Sequence, residues 1–590
     1  MSKRCTAASK RKVRLLGYVS ASVLASMIPV AAQAATVINP NPNTGCNLNT
    51  AQFAPGNGQG INVPAGFKVS VFASGLNMPT GIAFLKKGAG FEVYVLESGH
   101  GLPSACNEQG VMPGGTFATN NPFTPDVLVF DQNGHKIRGP LGKPTATGGG
   151  LQPAGPAIDI AFEKGLQGGR LFVSDSNQAT HAAGQNNSSR IVTMDPVTGQ
   201  VTPFITGLPT GDHPTEQFAF KGNWIYWSQG STTNSGVVGL DNGGGANQPD
   251  IPCQDIKLSQ NVFDSGGGKM TSGYSPFGVQ RPGATVHAFE GAMHRGVCDG
   301  AILRAPLNKS NPQENIEPFS WGYRNGYAIR FAPDNHALKG GLLVGEDGPD
   351  ERGARPTNNA PDVLSLAQQN KDGSPDYHGW PDRFGFLASS QAVFNPVGGP
   401  ADDVPPSAND IPIRDVLAFP PQPITSPLAI EAADSSFTGI DFAPDSFAVG
   451  PVKRGAALYS LEGDFGFSAP NATAPAPEVG HEIKLINFSK VGEPLVLKIM
   501  NFARNDSGDQ AFIQAPNDTK DLAAFNRPLN VRFGPDGCAW IPDYGAVRDL
   551  GVDTHFRGPP ANGPLLQIPG TGVIWRICPT GQGKHNDDDD

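Results

Sequence analysis

The stretch GDHPTEQFAFKGNWIYWSQG, residues 211–230, decides the fold. Its QFAF and IYW segments are short apolar runs separated by KGNW, so they predict two strands joined by a turn. Asp212 and His213 stand at the head of the first strand, and the second strand ends in the polar pair Ser228-Gln229. We therefore expect an imidazole at the entrance of a strand pair.

The same two-strand unit recurs along the chain, and such repeats decide architecture before any other pattern. The copies are GIAF with VYVLESG, DIAF with LFVSDS, QFAF with IYWSQG, AIRF with LLVGEDG, GIDF with LYSLEGD and NVRF with AWIPDYG. Their first strands share a phenylalanine, at Phe84, Phe162, Phe220, Phe331, Phe442 and Phe533.

A two-stranded unit cannot bury both of its faces, so repeated copies must pack on one another. Radial closure of the six units gives an all-β chain folded as a six-bladed β-propeller. The phenylalanines lie roughly 60 to 110 residues apart, against about 40 to 45 for a minimal four-stranded blade. We therefore expect long insertions between strands, and insertions on one face commonly build a site.

The chain ends divide the sequence into four parts. Residues 1–34 hold six cations and no acid, then an apolar run and the small-x-small triplet Ala32-Gln33-Ala34, which predicts a signal peptide cleaved after Ala34. Residues 35–63 form an irregular N-terminal arm, 64–580 the propeller and 581–590 a solvated acidic tail. We expect the strand in 64–76 to close the ring against GVIWRI, residues 572–577.

Net charge and cysteine content predict an exported protein that does not bind anionic partners. Loss of the six signal cations changes the formal net charge from −10 to −16, which disfavours nucleic acid and anionic lipid. Six cysteines then remain, an even number that favours disulfides in the periplasm or outside the cell. Proximity suggests the pairs Cys46–Cys106, Cys253–Cys298 and Cys538–Cys578, one of 15 possible pairings.

Polar residues end the second strand of every unit, and these are Glu97, Asp175, Gln229, Glu346, Glu462 and Asp543. Each could simply cap its strand by accepting hydrogen bonds from turn amides. A ring of six around one axis instead predicts an anionic cavity, suited to a cation or a polyhydroxylated ligand.

Four segments could carry chemistry. Asp212-His213 offers a general base, although neighbours on a strand point to opposite faces and need not touch. WGYRN supplies Arg324 and Asn325, which can bind a carboxylate or form a surface ion pair. GEDGPDERG, residues 345–353, is a carboxylate-rich turn that could hold calcium through side-chain and carbonyl oxygens. HGWPD, residues 378–382, offers an aromatic platform that could equally be packing.

These segments, with LPTGDHPTEQFAF and NRPLNVRFGPDG, occur in an order that resembles the glucose/sorbosone dehydrogenase family of soluble quinoprotein propellers. The resemblance implies oxidation of a sugar or aldehyde by pyrroloquinoline quinone (PQQ) held with Ca²⁺, and an external electron acceptor. It assigns His213 as the base that follows Asp212, and it assigns Arg324, Asn325 and Arg527 to the quinone. The carbonyls of Gly348 and Pro349 match those that hold the calcium.

The chain departs from the family at two cations. The lysine expected in the fifth unit is missing from LEGDFG, residues 461–466, and a second arginine expected after Arg527 is Leu529. Both changes leave the site less cationic, and the sorbosone branch is nearer than the glucose branch. Two alternatives stay open: a calcium-dependent propeller hydrolase such as a lactonase, and a non-catalytic propeller that binds carbohydrate or protein.

Overall fold

A computed structural model describes part of the chain, namely residues 36–38, 51–99, 114–177, 186–242, 244–350, 352–357, 359–385, 393–395, 411–421, 427–463, 479–506, 511, 523–549 and 565–581. The signal segment, Cys46, Cys106 and the acidic tail beyond residue 581 lie outside these ranges, so the predictions for them remain predictions.

Six antiparallel sheets follow one another along the chain, which confirms the predicted six-bladed propeller. Blade 1 contains Pro79–Lys87, Gly90–Glu97, Asp126–Asp131 and Lys136–Leu141. Blade 2 contains Ala157–Phe162, Leu171–Asp175, Ser189–Met194 and Val201–Leu208. Blade 3 contains Thr215–Lys221, Trp224–Gln229, Ala301–Pro306 and Glu317–Trp321, with Asp376–Tyr377 added in parallel.

The other three blades follow the same plan. Blade 4 contains Asn325–Phe331, Leu342–Asp347, Asp362–Ala367 and Ala429–Glu431. Blade 5 contains Phe437–Phe442, Ala457–Leu461, Glu482–Phe488 and Leu497–Asn505, with Ile61–Asn62 at its edge. Blade 6 contains Arg532–Phe533, Ala539–Asp543, Gly572–Pro579 and Phe67–Leu76.

The repeated sequence unit forms the first two strands of every blade. First strands of successive blades contact one another, and blade 6 contacts blade 1, so the ring is closed. Closure uses the predicted pair, because Phe67–Leu76 runs antiparallel to Gly572–Pro579. The predicted insertions are also present, the clearest being residues 230–300 between the second and third strands of blade 3.

Short elements decorate the blades. Strand pairs outside the blades are Thr36–Ile38 with Ala51–Phe53, Ile256–Lys257 with Thr285–Val286, Phe263–Asp264 with Met270–Thr271, Phe394–Asn395 with Ile411–Pro412, and Val547–Asp549 with Leu565–Gln567. The 3₁₀ helices are Gly165–Gln167, Leu240–Asn242, Gly244–Ala246, Pro312–Asn315 and Asp445–Phe447. The N-terminal arm thus carries strands of its own. No helix among the described residues is long and apolar enough to cross a membrane.

Two predicted disulfides are confirmed. Cys253–Cys298 joins the interior of the blade 3 insertion to its C-terminal end, and Cys538–Cys578 joins the residue before the strand Ala539–Asp543 to the strand Gly572–Pro579 of blade 6. The first bridge closes a loop of 45 residues within the insertion, which restricts the conformations open to that segment.

A bulge at one position shapes the centre of the ring. In blades 1 to 5 the first strand carries one extra residue relative to the second, four positions before the repeated phenylalanine. A bulge redirects the side chain that it carries. The residues at this position are Thr80, Ile158, Glu216, Tyr327 and Thr438.

Below the bulges, polar side chains from several blades cross the axis. Arg532 of blade 6 donates to Gln217 of blade 3 at 3.0 Å and lies 3.7 Å from Asp159 of blade 2. Gln217 in turn donates to the carbonyl of Thr438 in blade 5 at 2.7 Å. These bonds tie opposite sides of the ring together and fill its centre beneath the site.

Candidate active site

His213 and Asp212 lie in a bend just before the first strand of blade 3. The backbone N–H of His213 donates to the carbonyl of Ser231 at 3.0 Å, and Ser231 N–H donates to the carbonyl of Arg324 at 2.8 Å. This short ladder joins the entrance of blade 3 to that of blade 4. It brings together two segments that are more than a hundred residues apart in sequence.

One carboxylate oxygen of Asp212 is the meeting point of the site. It accepts from Arg352 Nη2 at 2.7 Å and from Arg324 Nη2 at 3.3 Å, and it lies 3.3 Å from His213 Nδ1. The contact with His213 is not aligned as a hydrogen bond, so Asp212 acts on the imidazole mainly through its charge. The expectation that the two side chains need not touch assumed an extended strand, whereas the bend turns both toward the same side.

Arg324 is almost completely buried and serves several acceptors. Its Nη1 donates to Gly348 O at 2.6 Å and to Asp347 at 3.2 Å, and its Nη2 donates to Asp350 at 2.5 Å. The carboxylate-rich turn thus wraps around a guanidinium. The Nε atom of Arg324 is buried without a hydrogen-bond partner, so one donor of the group is unused.

Arg352 is the residue that sequence reasoning missed. Besides Asp212 it binds Asp350 through Nε at 2.8 Å and Asp241 through Nη1 at 3.3 Å. The segment GEDGPDERG is conspicuous for its carboxylates, and no local spacing indicates that its arginine reaches Asp212, 140 positions away. We name Asp212, Arg324, Asp350 and Arg352 the clamp.

The two predicted calcium ligands lie beside the clamp. Gly348 donates its N–H to Asp362 at 2.7 Å, and its carbonyl is the one that accepts from Arg324. Pro349 is buried next to it. A cation bound at the Gly348 carbonyl would therefore share that oxygen with a guanidinium.

The remaining predicted residues surround the same centre. Asn325 begins the first strand of blade 4, is buried, and has an Oδ1 atom without a hydrogen-bond partner. Arg527 is fully buried before the first strand of blade 6, and its Nη1 donates to Gly463 O at 2.8 Å. Leu529 packs in an apolar cluster with Met78, Phe123, Ile158, Tyr327, Tyr544 and Val547. Its side chain is therefore part of an apolar wall.

Burial and charge set the protonation states. Burial, followed by the positive charge of Arg324, lowers the pKa of His213 to about 3, so the imidazole is neutral at pH 7. Burial alone would raise the pKa of Asp212, but Arg352, His213 and Arg324 hold it well below its usual range. The site therefore presents a neutral imidazole beside a firmly ionised carboxylate, an arrangement that general-base chemistry can use.

The strand-end acids mostly cap backbone amides instead of lining an anionic cavity. Glu97 accepts from Asn77 N–H at 2.6 Å, Glu346 from Arg324 N–H at 2.8 Å, and Asp543 from Arg527 N–H at 2.8 Å. Glu462 differs, because burial raises the pKa of its carboxyl to about 7. The charge of Arg527 lowers this pKa, and the charge of Asp347 raises it.

Two other candidates are structural. In HGWPD, His378 stacks on Tyr323 and binds Asp376 at 2.8 Å, while Trp380 is buried and donates to Asn234 O at 3.2 Å. Among the described residues, one group of three possible metal ligands lies close together, Asp536 with Cys538 and Cys578, and its cysteines form a disulfide.

Comparisons with known proteins give similarity at the level of solved structures. No protein-family model matches the chain, and no curated protein matches it. The PQQ domain of pyranose dehydrogenase from Coprinopsis cinerea, in its holo form, is 12% identical, with a TM-score of 0.45 over 88% of this chain and 97% of that chain. The calcium structure of a Trichoderma reesei carbohydrate-active enzyme of family AA12 is 14% identical, with a TM-score of 0.46 over 88% and 97%.

A third structure, the PQQ-bound aldose sugar dehydrogenase from Streptomyces coelicolor, is 16% identical, with a TM-score of 0.42 over 88% of this chain and 99% of that chain. Identities and TM-scores this low carry no argument about chemistry. The residues of the site, and not these similarities, indicate its chemistry.

Proposed function

We propose that the chain is an exported quinoprotein oxidoreductase that oxidises a sugar or a related alcohol or aldehyde, sorbosone-like in kind, with His213 as general base. The observation that carries this proposal is the convergence on one Asp212 oxygen of His213, Arg324 and Arg352 from two blades. Two disulfides and the cation-rich first residues support export to the periplasm or beyond.

The buried donors suit a polycarboxylate quinone. Arg324 has an unused Nε donor, Asn325 has an unused Oδ1 acceptor, and Arg527 is a further fully buried guanidinium, at the entrance of blade 6. When bound, pyrroloquinoline quinone supplies the two-electron acceptor that sugar oxidation requires. Arg324, Asn325 and Arg527 would hold it, and the electrons would leave to an external acceptor.

The charges around Gly348 support a cation there. The two guanidinium groups of Arg324 and Arg352 contact four carboxylates, those of Asp212, Asp241, Asp347 and Asp350. The excess of negative charge favours a divalent ion, and Ca²⁺ accepts carboxylate and carbonyl oxygens together. Gly348 and Pro349 would supply the carbonyls, with Arg324 withdrawing from the Gly348 oxygen.

The chain's own residues prepare the proton transfer. His213 is neutral and can accept the proton of a substrate hydroxyl, and Asp212 stabilises the imidazolium that results. The positive charge of Arg324 weakens this base in the ligand-free protein. An anionic group bound by Arg324 would cancel that charge and raise the pKa of His213 toward its ordinary value.

The alternatives fit the geometry less well. A hydrolase of the lactonase type needs carboxylates that converge on one ion, but here Asp212, Asp347 and Asp350 converge on Arg324. A non-catalytic binding propeller is compatible with the apolar wall at Leu529, but it leaves the buried neutral imidazole of His213 without a role.

The test is dye-coupled oxidation of aldoses and sorbosone-like aldehydes by protein loaded with PQQ and Ca²⁺. His213→Ala should lower kcat by about 10²- to 10⁴-fold, the usual contribution of a general base, and leave quinone affinity within a few fold. His287→Ala is the matched control, because His287 is exposed in a surface ion pair with Asp255. Parent-like turnover by His213→Ala would refute the assignment of the base.

A further inference from the structure

Two buried polar groups at neighbouring bulges have no hydrogen-bond partner. Glu216 in blade 3 is 1% exposed, and its Oε2 atom is unbonded. Tyr327 in blade 4 is 7% exposed, and its hydroxyl is unbonded. Buried polar groups in proteins are nearly always paired, so two such groups in equivalent positions ask for an explanation.

The two groups face the same central region. Both occupy the bulge position, four residues before the repeated phenylalanine. Tyr327 packs with Met78 of blade 1, Ile158 of blade 2 and Leu529 of blade 6, which places its ring at the middle of the propeller. The strands that carry the two groups, Thr215–Lys221 and Asn325–Phe331, contact each other in the ring, and burial together with the charge of Glu216 raises the pKa of Tyr327.

The layer beneath them is bonded more extensively, although the Oδ1 atom of Asp159 has no hydrogen-bond partner. Asp159 accepts from Phe218 N–H at 3.0 Å, and the amide of Gln217 binds both Arg532 and the Thr438 carbonyl. Unbonded polar atoms thus occur in this network, at Glu216 and Tyr327, and at Arg324 Nε and Asn325 Oδ1. Asp347, which contacts Arg324 in the layer above, also acts on Glu216 through its charge.

We propose that Glu216 and Tyr327 form a polar subsite beneath the clamp that takes a neutral hydroxyl or carbonyl oxygen of a bound small molecule. The subsite deepens the proposed function and rests on it. An apolar wall with a few polar groups is the usual make-up of a small-molecule site. The oxygen belongs either to the quinone or to the sugar substrate, and the two arms of the test separate these sources.

Protonation supports a donating role. Burial raises the pKa of Glu216 well above its ordinary value, and the charge of Asp347 adds to this. Burial likewise raises the pKa of Tyr327. Burial thus favours the protonated form of each group, which offers an O–H donor to an acceptor oxygen.

The test compares Tyr327→Phe, Glu216→Gln and Glu216→Leu with the parent protein. One arm titrates PQQ with Ca²⁺ by calorimetry, and the other titrates D-glucose or L-sorbose into quinone-loaded protein. Tyr327→Phe and Glu216→Leu should weaken one of these ligands by about 3- to 10-fold, the loss of one hydrogen bond. Glu216→Gln keeps an N–H donor and should retain most of the affinity.

A measurement without ligand provides the second readout. Tyr327→Phe removes a hydroxyl that bonds nothing, so the Tm should stay within about 1 °C of the parent or rise. Tyr459→Phe is the matched control, since the buried Tyr459 hydroxyl donates to Glu431 and its loss should lower the Tm.

Parent affinity for both ligands in Tyr327→Phe and Glu216→Leu would overturn the subsite and leave the proposed function standing. A drop in Tm for Tyr327→Phe equal to that of Tyr459→Phe would also overturn it, because the hydroxyl would then have an internal partner. Failure of the parent protein to bind either ligand would refute the proposed function together with the subsite.

Discussion

Replacing Arg352 by glutamine tests the clamp most sharply. The substitution removes a positive charge that lies 2.7 Å from the Asp212 oxygen, which in turn lies 3.3 Å from His213 Nδ1. Arg352 Nη2 and His213 Nδ1 are therefore at most 6.0 Å apart. Because the charge of Arg352 lowers the pKa of His213, its removal must raise that pKa.

The size of the effect follows from this distance. At about 6 Å, two unit charges interact by about 0.7 kcal/mol at a dielectric of 80 and by about 2.8 kcal/mol at a dielectric of 20. These energies correspond to about 0.5 to 2 pKa units. The pKa of His213 should therefore rise from about 3 to between about 3.5 and 5 in the Arg352→Gln variant.

Stability should fall at the same time. Breaking a buried ion pair by removing one partner costs about 3–5 kcal/mol. The Arg352 side chain is 21% exposed, and Asp350 and Asp212 keep Arg324 as a partner, so we expect about 2–3 kcal/mol. Arg281→Gln is the control, because its ion pair with Glu290 is at the surface and should cost less than about 1 kcal/mol.

The assay is an NMR titration of ring-labelled histidines in ligand-free protein from pH 8 to pH 4, with His213→Ala to assign the signal. The parent signal of His213 should stay flat, while the Arg352→Gln signal should begin to titrate before pH 4. A parent His213 that titrates near pH 6.5 would refute the buried neutral base. A variant signal as flat as that of the parent would refute electrostatic coupling through the clamp.

Three further predictions concern stability. Burial and the charge of Asp126 raise the pKa of Glu97 to about 8, so the folded state retains a proton that the unfolded state loses near pH 4.5, and stability falls as the pH rises between these values. The Tm of Glu97→Gln should therefore increase relative to that of the parent from pH 5 to pH 8, and a Tm difference that does not change with pH would contradict this. Replacing Cys253 and Cys298 together by serine should cost about 4 kcal/mol in urea unfolding, because the bridge closes a loop of 45 residues, and no change would show that the insertion is constrained otherwise. Arg355→Met should lower the free energy of unfolding by about 3–5 kcal/mol, because it leaves the fully buried Asp382 carboxylate without its ion-pair partner. The double variant with Asp382→Leu should recover part of this loss, and no recovery would contradict the assigned role of the ion pair.

The architecture was predictable because each strand pair has a short local sequence pattern, and that pattern recurs six times along the chain. Each unit holds two short, largely apolar runs separated by a turn, and its first run ends on the same phenylalanine. Ring closure by residues 64–76 followed from the position of two strands at the chain ends. Two of the three cysteine pairs followed from proximity, and these are confirmed.

The site was predictable only in part, because its decisive contacts are long-range. Asp212 and Arg352 meet across 140 positions, and no periodicity records that contact. The bend at His213 replaced the extended strand that alternation suggests, and this change brings Asp212 against the imidazole. Glu216 could not be identified either, since a bulge at the same place in five blades becomes visible only once the strands are paired.

The strand-end residues show the same limit. Their recurrence in six units was read as a ring of ligands, yet Glu97, Glu346 and Asp543 accept hydrogen bonds from backbone amides of their own blades. A residue repeated for a shared structural need produces the same pattern as one repeated for a shared site. Only the hydrogen-bond partners seen in the folded structure distinguish a strand-end cap from a ligand-binding residue.

The most direct test of the central claim is a calorimetric titration of metal-stripped protein with pyrroloquinoline quinone, with and without Ca²⁺. We expect stoichiometric binding that requires Ca²⁺ and weakens when Arg324 is replaced by glutamine. Absence of binding under both conditions would contradict the quinoprotein assignment, and it would mean that Leu529 and the cation missing from residues 461–466 mark a propeller that no longer holds the quinone.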